Sequence, residues 1–187
     1  MTSIADGSAD VDLIARLRRH DGAALAEVYD AHHEQVRSFA CRLVGDDASA
    51  EDLVQEAFLA LPKAMHGFRG DASLRTFVIG IAANHARHYV RAASRRRAAY
   101  SRSAEDAPAS PATPEEHAHR RELAVELTRA LDELPFDQRL AIVLCEVEER
   151  TAAEAAQIVG APEATIRTRI FHGKKKLRDI LHARGVR

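Results

Sequence analysis

Apolar residues recur at intervals of three and four positions along nearly every segment of this 187-residue chain. The clearest run comprises Ala24, Leu25, Val28, Tyr29, Val36, Phe39, Ala40 and Leu43. That spacing places apolar side chains on one face of an α-helix, whereas a half-buried strand would need them at alternate positions. No segment shows strand-like alternation, and alanine, the best helix former, supplies much of the 46% hydrophobic content. The sequence therefore predicts an all-α protein.

The helical spacing stops in one place, between residues 94 and 115. Three arginines stand near its start, and Ala, Ser, Glu and Asp follow, together with three prolines. A segment of that length and composition is typical of a flexible linker rather than of a loop inside a compact domain. We therefore predict two small helical domains, at residues 11–93 and 116–183, joined by a flexible linker over residues 94–115.

Capping residues indicate where the helices of the first domain begin and end. Asp21 is placed to cap the run described above, and Gly45 is placed to end it. The next helix is expected to begin at Ser49, with Asp52 at the capping-box position. A third helix is expected to begin at Ser73. The first domain is thus predicted to be a bundle of several helices.

A short helix, a glycine turn and a basic helix form the most informative pattern in the chain. The segment TAAEAAQIV opens with Thr151 and has Glu154 three residues later, which is a capping box, and Gly160 ends it. Pro162 then precedes a longer helix rich in Arg and Lys. This order is typical of a helix-turn-helix, whose second helix enters the major groove of DNA. The alternative is an amphipathic surface helix with a solvated basic face.

The second of these helices carries the candidate DNA-reading side chains in its N-terminal half. They are Thr165, Arg167, Thr168, Phe171 and His172. Arginine can bind guanine bidentately, and threonine or phenylalanine can contact a thymine methyl group. The basic residues that follow are suited to phosphate contacts, and they are Lys174, Lys175, Lys176 and Arg178.

Charge is segregated along the chain although the formal net charge is −1. Five acidic and no basic residues lie between Asp46 and Glu56, and eight basic residues and one acidic residue lie between Ala164 and Arg187. Six basic and no acidic residues lie between Arg87 and Arg102. One negative face and two positive faces fit a protein with more than one partner. For each cluster the alternative is an ordinary solvated surface.

Other functional classes find no support in the sequence. None of the ten histidines lies at a recognised zinc spacing with cysteine or carboxylate, and phosphate loops, nucleophile elbows and HExxH motifs are absent. We therefore expect no metal, no cofactor and no enzymatic activity. Cys41 and Cys145 are expected to be buried thiols rather than a disulfide. Without a long apolar run or a signal peptide, the chain is expected to stay in the cytoplasm.

Four stretches of the chain, in register, resemble the extracytoplasmic-function sigma factors of bacterial RNA polymerase. In the first domain they are RLVGDDASAEDLVQEAFLAL and FRGDASLRTFVIGIAANHARHYVR, and in the second they are LDELPFDQRLAIVL and GAPEATIRTRIFHGKKKLR. The resemblance extends from Asp21 to Leu181 apart from the linker. It implies a protein that binds core polymerase through the β′ and β subunits and directs it to promoter DNA. It also implies control by an anti-sigma protein.

The resemblance implies a role for each charged surface. Asp52, Gln55 and Glu56 would dock on a coiled coil of the polymerase β′ subunit. The melted −10 element would be held as a single strand, with a flipped base in a pocket, by Phe68, Ile81, Asn84, Arg87 and Arg91. The helix-turn-helix would read the −35 element as duplex through the residues named above, with Arg167, Thr168 and Phe171 facing bases and Lys174 facing a phosphate.

Two positions depart from the family pattern, and two other classes of protein stay open on the residues alone. Phe77 stands where the family usually has tryptophan, and His172 stands where it often has arginine. A stand-alone helix-turn-helix regulator would bind duplex DNA as a dimer, but this class leaves the acidic helix unexplained. A helical adaptor would bind a protein partner without sensitivity to salt and would not affect promoters.

Overall fold

The computed structural model describes residues 6–70, 72–100 and 125–185, with side chains at residues 11–70, 72–93 and 125–185. Every regular element in these ranges is helical, and they contain no strand, which confirms the all-α prediction. No helix among them is both long enough and apolar enough to cross a membrane. The same residues contain no group of three or more side chains that could hold a metal ion.

Eight α-helices are found in the described ranges. α1 covers Asp6–Arg18, α2 Gly22–Val44, α3 Asp47–Ala64 and α4 Leu74–Tyr100, with a 3-10 turn at Met65–Gly67 after α3. The described part of α5 covers 125–132, and α6 Phe136–Ile142, α7 Ala152–Val159 and α8 Glu163–Ala183 follow, with a π-helical turn at Val143–Val147 after α6. The described residues divide into two compact units, which fall within the bounds Met1–Cys41 with Asp46–His85 and Arg42–Gly45 with Ala86–Arg187.

Large apolar side chains from α1, α2, α3 and the 3-10 turn after α3 contribute to the core of the first unit. Fully buried among them are Leu17, Phe39, Leu53, Leu61 and Met65. α1 packs against α3 and the 3-10 turn. Arg18, at the end of α1, donates hydrogen bonds to the carbonyl oxygens of Met65 at 3.1 Å and Phe68 at 2.7 Å. The segment that leads from α3 to α4 is thereby tied to α1.

The cap of α2 is the predicted one. Asp21 Oδ1 accepts hydrogen bonds from the backbone N–H groups of Ala23 at 2.9 Å and Ala24 at 3.3 Å. The Arg16 guanidinium donates to the same carboxylate at 2.9 Å and, together with these N–H groups, lowers the pKa of Asp21. Gly45, with a φ of +83°, follows the last residue of α2 as predicted. Both helix boundaries are confirmed.

The start of α3 differs from the prediction. The N-cap is Asp46, whose extended backbone precedes the helix and whose carboxylate accepts from the Ser49 N–H at 2.7 Å. The prediction that Ser49 begins this helix, with Asp52 in a capping box, is therefore wrong. Asp46 lies three residues earlier and satisfies an N–H of the first turn, so the helix begins before Ser49 is reached.

α4 begins where predicted and extends further than predicted. The Ser73 hydroxyl accepts from the Thr76 N–H at 3.2 Å, and the helix then continues to Tyr100. Residues 94–100, expected to belong to the linker, are helical. Alanine and arginine both favour the helix, so the loss of apolar spacing did not end it. The rest of the predicted linker, from residue 101 to 115, lies outside the described residues.

In the second unit, α8 packs against α6 and α7. Leu131, Leu134 and Ile142 form a buried cluster, with Leu177 and Ile180 packed against it. Ile166 and Gly173 of α8 are buried, so this face of the helix points towards the core of the unit. A disulfide does not join Cys41 to Cys145, and each thiol is only partly buried, so the prediction that both thiols are buried is wrong.

Candidate nucleic-acid interface

Thr151 and Glu154 hold the start of α7. The Thr151 hydroxyl accepts from the Glu154 N–H at 3.2 Å, while the Glu154 carboxylate accepts from the Thr151 N–H at 2.8 Å and from its hydroxyl at 2.7 Å. These hydrogen bonds lower the pKa of Glu154, and the bond from the Thr151 hydroxyl contributes most. The predicted capping box is confirmed, with Thr151 as the N-cap of the short helix and Glu154 in its first turn.

A glycine turn sets the direction of α8 relative to α7. Gly160 adopts the left-handed conformation, with φ 68° and ψ 41°, and its N–H donates to the Ala156 carbonyl at 2.9 Å. Pro162 then precedes the first residue of α8. Ala155 on α7 and Ile166 on α8 are fully buried, and the two helices pack against each other. The predicted helix-turn-helix is present in the structure.

The N-terminal half of α8 carries the predicted DNA-reading side chains on its surface. Thr165 is half-buried, whereas Arg167, Thr168, Phe171 and His172 are exposed. The Phe171 side chain is 68% exposed, and its ring lies edge-on to the His172 ring with centroids 5.3 Å apart. An exposed aromatic ring among cationic side chains can contact a thymine methyl group in a major groove.

Hydrogen bonds within α8 hold two of these side chains. The Thr168 hydroxyl donates to the Ala164 carbonyl at 2.9 Å, which leaves its methyl group and its lone-pair electrons for other contacts. Arg167 donates to Glu163 Oε1 from Nε at 3.0 Å and from Nη2 at 2.5 Å. Glu163 is absent from the predicted site, although its spacing of four residues from Arg167 is a recognisable sequence signal.

The basic residues of α8 and of its C-cap, Arg184, divide into two groups. Lys174, Lys175, Lys176 and Arg178 are exposed, and Lys174 pairs with Glu146 on the π-helical turn at 2.6 Å. An ion pair at the surface that rests on a single contact contributes little to stability, so the Lys174 ammonium can exchange Glu146 for a phosphate.

The other group stabilises the unit itself. Arg169 donates to Asp137 at the start of α6 at 3.0 Å. Arg184 donates to Glu126 at 2.8 Å and also to Glu133, which raises the pKa of Arg184 and lowers that of Glu126. The positive surface is therefore smaller than the basic count of the sequence indicated.

The acidic helix α3 exposes the three residues predicted to bind polymerase. Asp52, Gln55 and Glu56 are all exposed, and Glu56 Oε2 accepts from His85 Nδ1 on α4 at 3.0 Å. Arg37 on α2 pairs with Asp47 at 3.1 Å and with Glu51 at 3.4 Å, so part of the acidic charge is balanced within the unit.

An apolar depression adjoins this acidic face. Gln55 lines it together with Leu25, Tyr29, Phe58 and Leu59, and the Leu59 side chain is 77% exposed. Carboxylates repel DNA, and exposed apolar area beside them is typical of surfaces that bind proteins. Sequence reasoning identified the acidic residues here and missed Leu59 and His85.

The residues predicted to hold the −10 element lie on α4 and the segment before it. Ile81 is half-buried, Asn84 is exposed, and their spacing of three residues places them on one face. Phe68 is only 7% exposed, and its ring lies 4.9 Å from that of Phe77, which precedes Ile81 by one turn. The structure thus brings the Phe68 segment to the face of α4 that carries Ile81.

The two arginines of this set lie on later turns of α4. Arg91 is exposed, whereas the side chain of Arg87 is only 17% exposed. Arg91 is therefore the more accessible of the two to a phosphate group.

Two family models match the chain. They are Sigma-70 region 2, over residues 28–96, and Sigma-70 region 4, over residues 124–177. The RNA polymerase sigma-H factor of Pseudomonas aeruginosa is 29% identical over 180 residues, which cover 92% of this chain and 93% of that protein. The ECF RNA polymerase sigma-E factor of Escherichia coli is 30% identical over 176 residues, covering 90% of this chain and 92% of that protein.

Two solved structures share the fold. One is the sigma factor RpoE in complex with the anti-sigma factor NepR from Bartonella quintana, with a TM-score of 0.63, 23% identity and coverage of 84% of this chain and 96% of that one. The other is CnrH in complex with the cytosolic domain of CnrY, with a TM-score of 0.64, 23% identity and coverage of 94% and 98%.

Proposed function

This chain belongs to the extracytoplasmic-function sigma factors, and we propose that it docks on core RNA polymerase through α3 and reads a two-part promoter through α4 and α8. Proteins of this family direct polymerase to promoters and are transcription factors rather than enzymes. The single observation that carries the proposal is the exposed face of α8 on a capped helix-turn-helix, with Arg167 and Phe171 in solvent.

The −35 element is read as duplex by this face. Arg167 binds a guanine edge, Thr168 and Phe171 contact thymine methyl groups, and Thr165 and His172 flank them. Lys174 and the cations after it bind phosphates, which fix the position of the helix in the groove without reading sequence. This division of labour agrees with the exposure of these side chains.

Polymerase is bound by the acidic face of α3. Asp52, Gln55 and Glu56 are exposed together on one helix and suit a basic surface such as a β′ coiled coil. The adjoining depression with Leu59 adds apolar area to the same surface. Polymerase and DNA are therefore bound at surfaces of opposite charge.

The melted −10 element is held as a single strand on α4. Asn84 and Ile81 bind an unstacked base, the Phe68–Phe77 ring pair supports the segment beside them, and Arg91 and Arg87 bind the backbone. Capture of unstacked bases drives separation of the promoter strands, so promoter melting needs no cofactor.

An anti-sigma protein holds the chain inactive in the absence of a signal, in the cytoplasm where polymerase lies. The support is that RpoE and CnrH, which share the fold, form complexes with NepR and with the cytosolic domain of CnrY.

Run-off transcription with purified core polymerase and genomic promoter fragments tests the proposal. We expect start sites that depend on the chain, and we expect Arg167→Ala to lose roughly 1–3 kcal/mol of discrimination among −35 variants. Co-elution with core polymerase in gel filtration separates a sigma factor from a stand-alone regulator. The proposal fails if core polymerase neither binds the chain nor initiates at new sites in its presence.

A further inference from the structure

Glu163 and Arg167 form a side-on ion pair at the exposed start of α8. Glu163 is the first residue of the helix, and its Oε1 accepts from both Nε and Nη2 of Arg167, at 3.0 and 2.5 Å. The two side chains are 44% and 71% exposed, so neither is held in place by burial. The pair therefore orders an arginine that would otherwise be free to rotate in solvent.

The geometry leaves one particular edge of the guanidinium available. A guanidinium has five N–H donors, one on Nε and two on each Nη. Glu163 engages the Nε–H and one Nη2–H, which form the side edge of the group. One Nη1–H and the second Nη2–H form the end edge, and two parallel donors of this kind bind O6 and N7 of guanine.

We propose that Glu163 is a specificity-determining residue for the −35 element, acting by holding Arg167 so that only its end edge can meet a base. This inference rests on the proposed function of α8. Without the carboxylate, Arg167 could reach phosphates or other base edges in several orientations, and its preference for guanine would weaken. Glu163 is thus a positioning residue that acts through Arg167.

The same carboxylate places a negative charge beside the DNA backbone. Its removal therefore raises affinity for every DNA sequence through the phosphates, whatever Glu163 does to Arg167. The two effects can be distinguished by measuring both the overall affinity for DNA and the discrimination between bases. A carboxylate that only repels DNA changes affinity uniformly, whereas a positioning carboxylate changes the ratio of affinities between guanine and the other bases.

The experiment measures dissociation constants of the full chain bound to core polymerase for promoter duplexes that carry each base at each −35 position. The position that Arg167→Ala makes insensitive to sequence identifies the base pair that Arg167 reads. Glu163→Ala, Glu163→Gln and Asp179→Asn are then compared at this position. Asp179→Asn is the matched control, because it removes one exposed carboxylate from the same helix.

We expect Glu163→Ala to reduce discrimination for guanine by about fivefold or more at this position. Glu163→Gln retains one acceptor oxygen and should retain part of the preference, while Asp179→Asn retains all of it. In an Arg167→Ala background, Glu163→Ala should cause no further loss of discrimination.

Full discrimination in Glu163→Ala, with a uniform gain in affinity like that of Asp179→Asn, would overturn the inference. A further loss of discrimination in the Arg167→Ala background would also overturn it, because Glu163 would then not act through Arg167. Failure of the proposed function has a different signature, since the wild-type chain itself would then show no −35 preference at any position.

Discussion

Gly173 shows how a single missing side chain positions the DNA-reading helix. It lies in the middle of α8, where glycine is intrinsically unfavourable, and a Cβ there would lie 2.8 Å from Ile142 Cδ1 and 3.3 Å from Gln138 Cβ. Ile142 is itself buried in the cluster with Leu131 and Leu134, so its side chain has little room to move. Glycine at this position permits the close approach of α6 and α8.

Gly173→Ala should lower the free energy of unfolding by about 1 kcal/mol, because overpacking costs about 1–3 kcal/mol and the gain in helix propensity returns about 1 kcal/mol. Urea unfolding measures the change. Gly22→Ala is the matched control, since a Cβ at that helical glycine meets nothing within 4 Å. A Gly173→Ala protein as stable as the control would show that the contact between α6 and α8 is not tight.

Individual cations of the basic C-terminal segment also show that a count of basic residues does not reveal which of them are available to a partner. Arg169 and Arg184 stand in the same basic segment as Lys175 and Lys176, yet they bind Asp137, Glu126 and Glu133 within their own unit. Sequence reasoning could count these residues but could not separate them, because the carboxylates that bind them lie about 30 to 60 positions earlier.

At the scale of elements, α3 carries the polymerase-binding surface. The double variant Asp52→Lys/Glu56→Lys should weaken binding to core polymerase, because it reverses two exposed charges on the proposed interface. Binding of the free chain to −35 duplex should be unchanged or stronger. Competition against wild-type chain for core polymerase measures the effect.

A control for that experiment reverses two acidic residues on other helices. Asp12→Lys/Glu34→Lys alters the net charge by the same amount, on α1 and α2, and should leave polymerase binding near the wild-type level. Equal losses from both double variants would mean that net charge, rather than the α3 face, governs association.

The short helix α7 depends on its N-cap. Thr151→Ala removes the hydroxyl that accepts from the Glu154 N–H and should lower stability by about 0.5–2 kcal/mol. The pKa of Glu154 should rise towards its ordinary value of 4.5, because the Thr151 hydroxyl is the main cause of its depression. Urea unfolding and an NMR titration measure the two changes.

Thr151→Ser provides the matched control for this helix, since it keeps the hydroxyl and should behave like the wild-type chain. If Thr151→Ala leaves both the stability and the Glu154 titration unchanged, the capping box does not exist in solution.

The whole molecule should be least stable at acidic pH. Hydrogen bonds from Arg16, Arg184 and Thr151 lower the pKa values of Asp21, Glu126 and Glu154 respectively, from ordinary values of 3.8 and 4.5. A carboxylate with a lowered pKa in the folded state stabilises the protein above its unfolded pKa, and this contribution disappears as the pH falls through the folded pKa.

Urea midpoints should therefore decline as the pH falls below about 4.5, with little change between pH 6 and 7 from these groups. Glu154→Gln should reduce the acid dependence, since one of the three groups no longer titrates. A midpoint that stays constant from pH 6 to pH 3 would show that these carboxylates are not held as described.

Much of the architecture was predictable because its signals are local. The cap at Asp21, the capping box at Thr151 and the glycine turn at Gly160 each act within a few residues, and all three are confirmed. α1 was not assigned as a separate helix, because its few apolar residues show no long stripe in the sequence, and among its described side chains, from residue 11 onward, Leu17 alone is fully buried. Its role is apparent only from its packing against α3.

The sequence by itself determined the helical class, the helix-turn-helix and the identity of the charged faces, because caps and apolar spacing act between neighbouring residues. The tertiary structure decided which of those charges are available. Arg184 binds one carboxylate on α5 and another just after it. Glu56 on α3 accepts a hydrogen bond from His85 on α4, and Phe68 is buried against Phe77. Such pairings depend on distances through space between helices, and no spacing along the chain specifies them.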